Sequence, residues 1–99
     1  MNDETLLRSS IENQHGGSAT HVQSVPVKET LAGQTVWEGI VEVFDLEGSA
    51  KSTRAYAWSS PIEGSDKRRI FAVLHLGDIR SPADAVRTAI AAEARAAKE

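Results

Sequence analysis

The stretch that most limits what this chain can fold into runs from Thr35 to Leu46 (Thr-Val-Trp-Glu-Gly-Ile-Val-Glu-Val-Phe-Asp-Leu). It combines β-branched and aromatic residues with regularly spaced acids and contains no proline, as a long strand covered on one face requires. At ~3.3 Å per residue such a strand spans roughly 40 Å, against the usual ~17–20 Å. It must twist strongly or bend, and Gly39 is the expected place.

The rest of the chain has to pack along that strand. Ninety-nine residues make one domain, and 40% hydrophobic with 25% charged residues is an ordinary composition for a folded one. No cysteine is present, which removes disulfides, thiolate metal sites and thiol nucleophiles together. So small a domain must rely on packing or on self-association. A net charge of −3 argues against a general nucleic-acid coat and against steering to anionic membranes. The acidic opening Asn2-Asp3-Glu4 lacks the apolar core of a secretory signal, and no apolar run approaches the ~18 residues of a membrane span. A soluble, cytoplasmic protein is expected.

Two organisations of the N-terminus stay open. Residues 1–20 are either a flexible tail or a short helix capped by Asp3, with Leu7 and Ile11 on one face, followed by a flexible link at His15-Gly16-Gly17-Ser18. Residues 21–99 form a single α+β domain. His21 to Lys28 alternates, placing His21, Gln23, Val25 and Val27 together, and Pro26 marks an edge strand. Glu29 to Gln34 turns the chain into the central strand.

A two-residue turn at Gly48-Ser49 would pair Val43 with Arg54, Val41 with Tyr56 and Gly39 with Trp58. Lys67 to Leu76 has a charged start and a continuous apolar body, which suits a strand central in the sheet or covered by a partner. Ser81 caps the last helix, with Pro82 and Asp84 in its first turn, and the helix runs to about Ala97 with Lys98 outside its apolar face. Its inner face is mostly alanine, so bulk must come from Trp37, Val41, Val43, Tyr56 and Trp58 beneath it. The expected fold is an antiparallel β-meander of three to four strands with one C-terminal helix packed on one face.

That arrangement leaves the opposite face of the sheet, with Val36, Glu38, Ile40, Glu42, Phe44 and Leu46, in need of a cover. A homodimer through this face is the expectation, with a docked N-terminal helix as the rival cover. The favoured role is therefore an interaction or self-association module.

Catalytic constellations are absent. His15, His21 and His75 show no metal spacing, and His75 reads as a core histidine. Glu38 and Glu42 would lie roughly 13 Å apart along a strand, beyond the about 5–9.5 Å of a glycosidase pair. No nucleophile elbow or phosphate-binding glycine loop occurs, so neither a catalytic residue, a metal nor a cofactor is expected. Nucleic-acid binding is the second reading, through Lys51, Arg54, Lys67, Arg68 and Arg69 with the aromatic residues as stacking platforms. A small-molecule site between Trp37, Tyr56 and Trp58, under the helix, is the third.

Trp37-Glu38-Gly39, Phe44-Asp45-Leu46 and Ala55-Tyr56-Ala57-Trp58-Ser59 resemble small uncharacterised bacterial proteins of the gene-cassette kind. That resemblance covers the central forty or so residues and implies a bacterial origin without an activity. The order of strands before a final helix also looks loosely like a double-stranded-RNA-binding domain. The basic cluster that opens that family's last helix has no counterpart in Ser81-Pro82-Ala83-Asp84-Ala85-Val86.

Overall fold

The computed structural model describes residues 3–62 and 64–97, so Lys98 lies outside the described residues. The elements are α1 (Asp3–His15), β1 (Ser18–Leu31), β2 (Gln34–Glu47), β3 (Arg54–Pro61), β4 (Arg68–Leu74) and α2 (Pro82–Ala97). All neighbouring strands pair antiparallel in the order β1-β2-β3-β4, the meander expected of an α+β chain with short connections. No helix among the described residues is long and apolar enough to cross a membrane.

The sheet carries a helix on each face rather than on one. Strand alternation sends Ala19, Phe44, Leu46, Ala55, Ala57 and Leu74 under Leu7 and Ile11 of α1. It sends Val27, Val41, Val43, Tyr56 and Trp58 under Ala85 and Val86 of α2. The start of α2 is held as its sequence requires, since Ser81 Oγ accepts the Asp84 N–H at 3.1 Å and Asp84 Oδ2 accepts the Arg80 N–H at 3.1 Å.

Of the two covers for the second face, the N-terminal helix is the one present, and it overturns the premise that this face lies bare. Phe44 has 0% of its surface exposed and Leu46 6%. The link behind α1 is tight rather than flexible. Gly17 has φ +76°, and a Cβ there would stand 2.4 Å from the Glu47 carbonyl oxygen, so the chain passes the end of β2 with room only for glycine. Glu4 of α1 meets His21 Nδ1 at 3.3 Å, and His21 Nε2 meets Glu42 Oε1 at 2.9 Å, joining helix, β1 and β2.

Four expectations about the strands change. First, the β2–β3 connection is a loop, and Val43 pairs with Tyr56 and Asp45 with Arg54, two residues from the register of a Gly48-Ser49 turn. Ser52 fixes this loop, lying 2.8 Å from the His75 carbonyl oxygen and accepting the Arg54 N–H at 3.3 Å. An even shift keeps every side chain on its expected face.

Second, the register of the long hairpin breaks beside Val22 in β1 and Val36 in β2, each an extra residue against its partner strand, and runs unbroken through Gly39. The first bulge breaks the alternation of β1, so His21 turns to Phe44 on the α1 face (5.4 Å, edge-on) while Val25 and Val27 face α2. Third, β1 continues to Leu31 and turns through Ala32 and Gly33, at φ 53° and 81°, a two-residue connection with both centres left-handed. Fourth, β4 is the outer strand, not a central one; Ile70, Ala72 and Leu74 pack into the cluster under α1, while Phe71 and Val73 pack, half-buried, against the cluster on the α2 side.

Because α1 supplies a fully buried side chain to one core, Ile11→Ala should destabilise the whole domain by about 2–5 kcal/mol. Urea denaturation followed by circular dichroism measures this; a change within a few tenths would mean that α1 is not docked.

Candidate functional site

The sheet forks. β2 and β3 pair only from Glu42–Ala57 to Asp45–Arg54, while β3 continues along β4 to Pro61–Arg68 and β2 continues along β1 to its start at Gln34. Continuing the β2–β3 register would place Ile40 opposite Ser59. The Ser59 carbonyl instead accepts from Arg68 Nη2 at 3.1 Å, and Arg68 Nε donates to Ser59 Oγ at 2.9 Å. Arg68 thus satisfies the acceptor that the parted strand leaves open. Across the gap, Trp37 Nε1 donates to Ser60 Oγ at 2.8 Å.

On the α2 side the fork opens into a cleft of about 760 Å³, walled by Trp37, Trp58, Phe71, Val86 and Ile90, with Ser60 as a polar group. Its aromatic wall is continuous. Trp37 meets Trp58 edge-on at 6.1 Å, and Trp58 stacks on Phe71 at 5.1 Å with 10° between the planes. The Arg69 guanidinium lies 4.8 Å above the Phe71 ring and pairs with Glu93 of α2, so one ion pair spans the mouth. An exposed pair of this kind contributes at most about 1 kcal/mol and yields easily to a competitor. A smaller cavity of about 260 Å³ opens on the α1 side, lined by Leu7, Ile40, Glu38, Glu42 and Arg68, and shares Trp37.

Gly39 makes room for this arrangement. A Cβ at Gly39 would stand 2.9 Å from Cζ2 and Cη2 of Trp37, so it is the Trp37 indole, not that of Trp58, that lies over the glycine. Tyr56 does not line the cleft. It is buried, and its hydroxyl lies 2.5 Å from His75 Nδ1; His75 is partnered as expected, but it is half-buried and sits just past the end of β4 rather than in a core strand. Burial raises the Tyr56 phenol above its ordinary value of 10.0; the Arg54 guanidinium opposes the shift and the Asp84 carboxylate adds to it.

The six residues expected on one open face are divided. Phe44 and Leu46 are core, Glu42 is held by His21 and Ser24, Glu38 and Ile40 line the smaller cavity, and the bulge turns Val36 into the cleft on the α2 side. Ile40 and Val36 remain 50% and 46% exposed. The five cations do not gather either. Lys51 and Arg54 lie at the end of β3 opposite to Lys67, Arg68 and Arg69, and Arg54 is paired with Asp45 at 3.1 Å. Among the described residues no group of three or more His, Asp or Glu side chains could hold a metal ion.

Trp37 and Trp58 were legible as partners of a pocket. Arg68, Phe71, Arg69 and Glu93 were not, because their roles follow from where β2 and β3 part, and no residue pattern announces that point. Comparison with protein-family models, with curated proteins and with solved structures found no match.

Gly39→Val should push the Trp37 indole out of the cleft and break its bond to Ser60, at a cost of about 1–3 kcal/mol. The shift of the Trp37 indole N–H resonance reports the displacement, and an unmoved resonance would contradict it. A second test concerns Tyr56, the only tyrosine in the chain. Its folded pKa lies above the unfolded value, so its contribution to stability is complete below pH 10.0 and is lost as pH rises through the folded value. Denaturation on either side of that pH should show the wild type losing more stability than Tyr56→Phe.

Proposed function

We propose that this protein is a small binding module that takes a flat, mainly apolar molecule into the cleft between the fork and α2. The observation that supports this reading is the aromatic wall. Trp37, Trp58 and Phe71 line one open cavity, where a chain that needed them only for its core would have closed the sheet over them. A volume of about 760 Å³ suits a small organic molecule, and sites of this class combine apolar walls with a few polar groups that fix orientation. Ser60 Oγ, already accepting from Trp37, keeps a proton to donate, and Arg69 and Glu93 offer both signs of charge at the mouth. The scattered and partnered cations lend the nucleic-acid reading no comparable support.

The test is a titration of the full chain with flat aromatic probes, indole and naphthalene derivatives, followed by tryptophan fluorescence and by amide and indole N–H chemical shifts. Saturable binding in the micromolar to millimolar range is expected, with shifts concentrated at Trp37, Trp58, Phe71 and Ile90. Ala89→Phe, which places a ring in the cleft from α2, should weaken binding roughly tenfold or more, a loss of about 1.4 kcal/mol. Shifts that never saturate, or that spread evenly over the surface, would refute the reading.

A further inference from the structure

The two edges of the sheet are built differently. β1 carries Pro26, a bulge beside Val22 and Lys28, all features that discourage another strand from adding to it. β4 carries no proline and no register break, and its charge is confined to Arg68 and Arg69 at its start. Its seven residues pair with β3 without a register break, and Ile70-Phe71-Ala72-Val73-Leu74 has the composition of a strand inside a sheet.

The phase of β4 is fixed by the His75 N–H, which donates to the Arg54 carbonyl at 2.9 Å. By alternation Val73 and Phe71 also bond to β3, so the N–H and C=O groups of Ile70, Ala72 and Leu74 point away from the sheet. The structure bears this out at one point, where His15 Nε2 reaches the Ala72 carbonyl from outside at 3.0 Å. This row of backbone groups faces solvent apart from the His15 contact, and it is a ready template for another strand.

We propose that the occupant is a second copy of this chain, its β4 running antiparallel to the first about a two-fold axis at Phe71. This register uses the whole strand. It sets Ile70 against the partner's Ala72, large against small, and Phe71 against the partner's Phe71, an aromatic cross-strand pair. It also carries the two arginine pairs, Arg68 and Arg69, to opposite ends of the ladder, beside the partner's Leu74 and the partner's Val73. A parallel copy would stack arginine on arginine. Space for the incoming side chains exists on the α2 face, where Ala89 and Ala92 flank an open recess of about 560 Å³ beside Arg69 and Phe71. Pairing replaces the single bond from His15 by a ladder of backbone bonds, so His15 and the second copy compete for one carbonyl. This association stands apart from the ligand-binding reading and uses the outer side of β4.

Sedimentation equilibrium of the full chain from micromolar to millimolar concentration, with amide hydrogen exchange by NMR on the same samples, tests it. The average mass should climb from 10.7 kDa toward twice that value. The Ile70, Ala72 and Leu74 amides should gain protection with concentration, whereas Phe71 and Val73 are protected throughout. His15→Ala should shift the midpoint to lower concentration by roughly five- to a hundredfold, the worth of two hydrogen bonds, one from each copy. Ala72→Pro removes only an outward N–H and should stay monomeric while the β3–β4 amides remain protected. A 10.7 kDa species at millimolar concentration in both wild type and His15→Ala would overturn the proposal. So would a dimer whose edge amides exchange as fast as in the monomer, a result that needs no variant to fold.

Discussion

Two strands of fourteen residues beside a strand of eight set the terms for everything else in this molecule. A strand pair with two bulges gains twist at each, and a shorter, regular neighbour cannot follow it. β2 therefore leaves β3 after a few residues, and the parted backbone needs other partners. Arg68 takes the Ser59 carbonyl, and Ser60 takes the Trp37 indole. The cleft is what remains between the arms once those local demands are met. It is not a cavity left by poor packing, because its walls belong to the same clusters as the buried core.

The helices close the two sides unequally. α1 brings Leu7 and Ile11, large side chains that bury well on the alanines and Phe44 beneath them. α2 brings mostly alanine, with Val86 and Ile90 as its bulk, and the aromatic residues opposite have to reach up to it. Tall side chains under a slender helix leave gaps wherever the sheet beneath is not continuous. The position of the cleft under α2, and the smaller size of its counterpart under α1, follow from that difference.

Much of this was readable from the residues alone. The long strand, the edge marked by Pro26, the cap at Ser81 and the face shared by Val41, Val43, Tyr56 and Trp58 rest on local chemistry and on a period of two, and they stand in the structure. The register of β2 on β3 differed by two residues because a Gly-Ser turn and a longer loop held by Ser52 look alike locally. Both bulges were missed, since Val22 and Val36 are ordinary strand residues whose extra position shows only against a partner strand. With the bulge at Val36 went part of the candidate site, because one extra residue moves a side chain from one face of a sheet to the other. The docking of α1 was open for a different reason. A thirteen-residue helix is marginal alone, and what fixes it, the alanine-floored groove and the His21 contacts, comes from strands later in the chain.

That last dependence bears on how the protein is made. α1 is synthesised before the strands it packs on, yet His15 finds its partner in Ala72, fifty-seven residues further on, and Leu7 and Ile11 share a cluster with Leu74. During synthesis the groove for the helix stays incomplete until β4 joins the sheet, because Leu74 and the Ala72 carbonyl belong to it, and long-range contacts of this kind form late. α1 is thus among the last parts of the domain to settle, and until the sheet is made Leu7 and Ile11 are apolar groups awaiting shelter, the kind of surface that holding chaperones recognise.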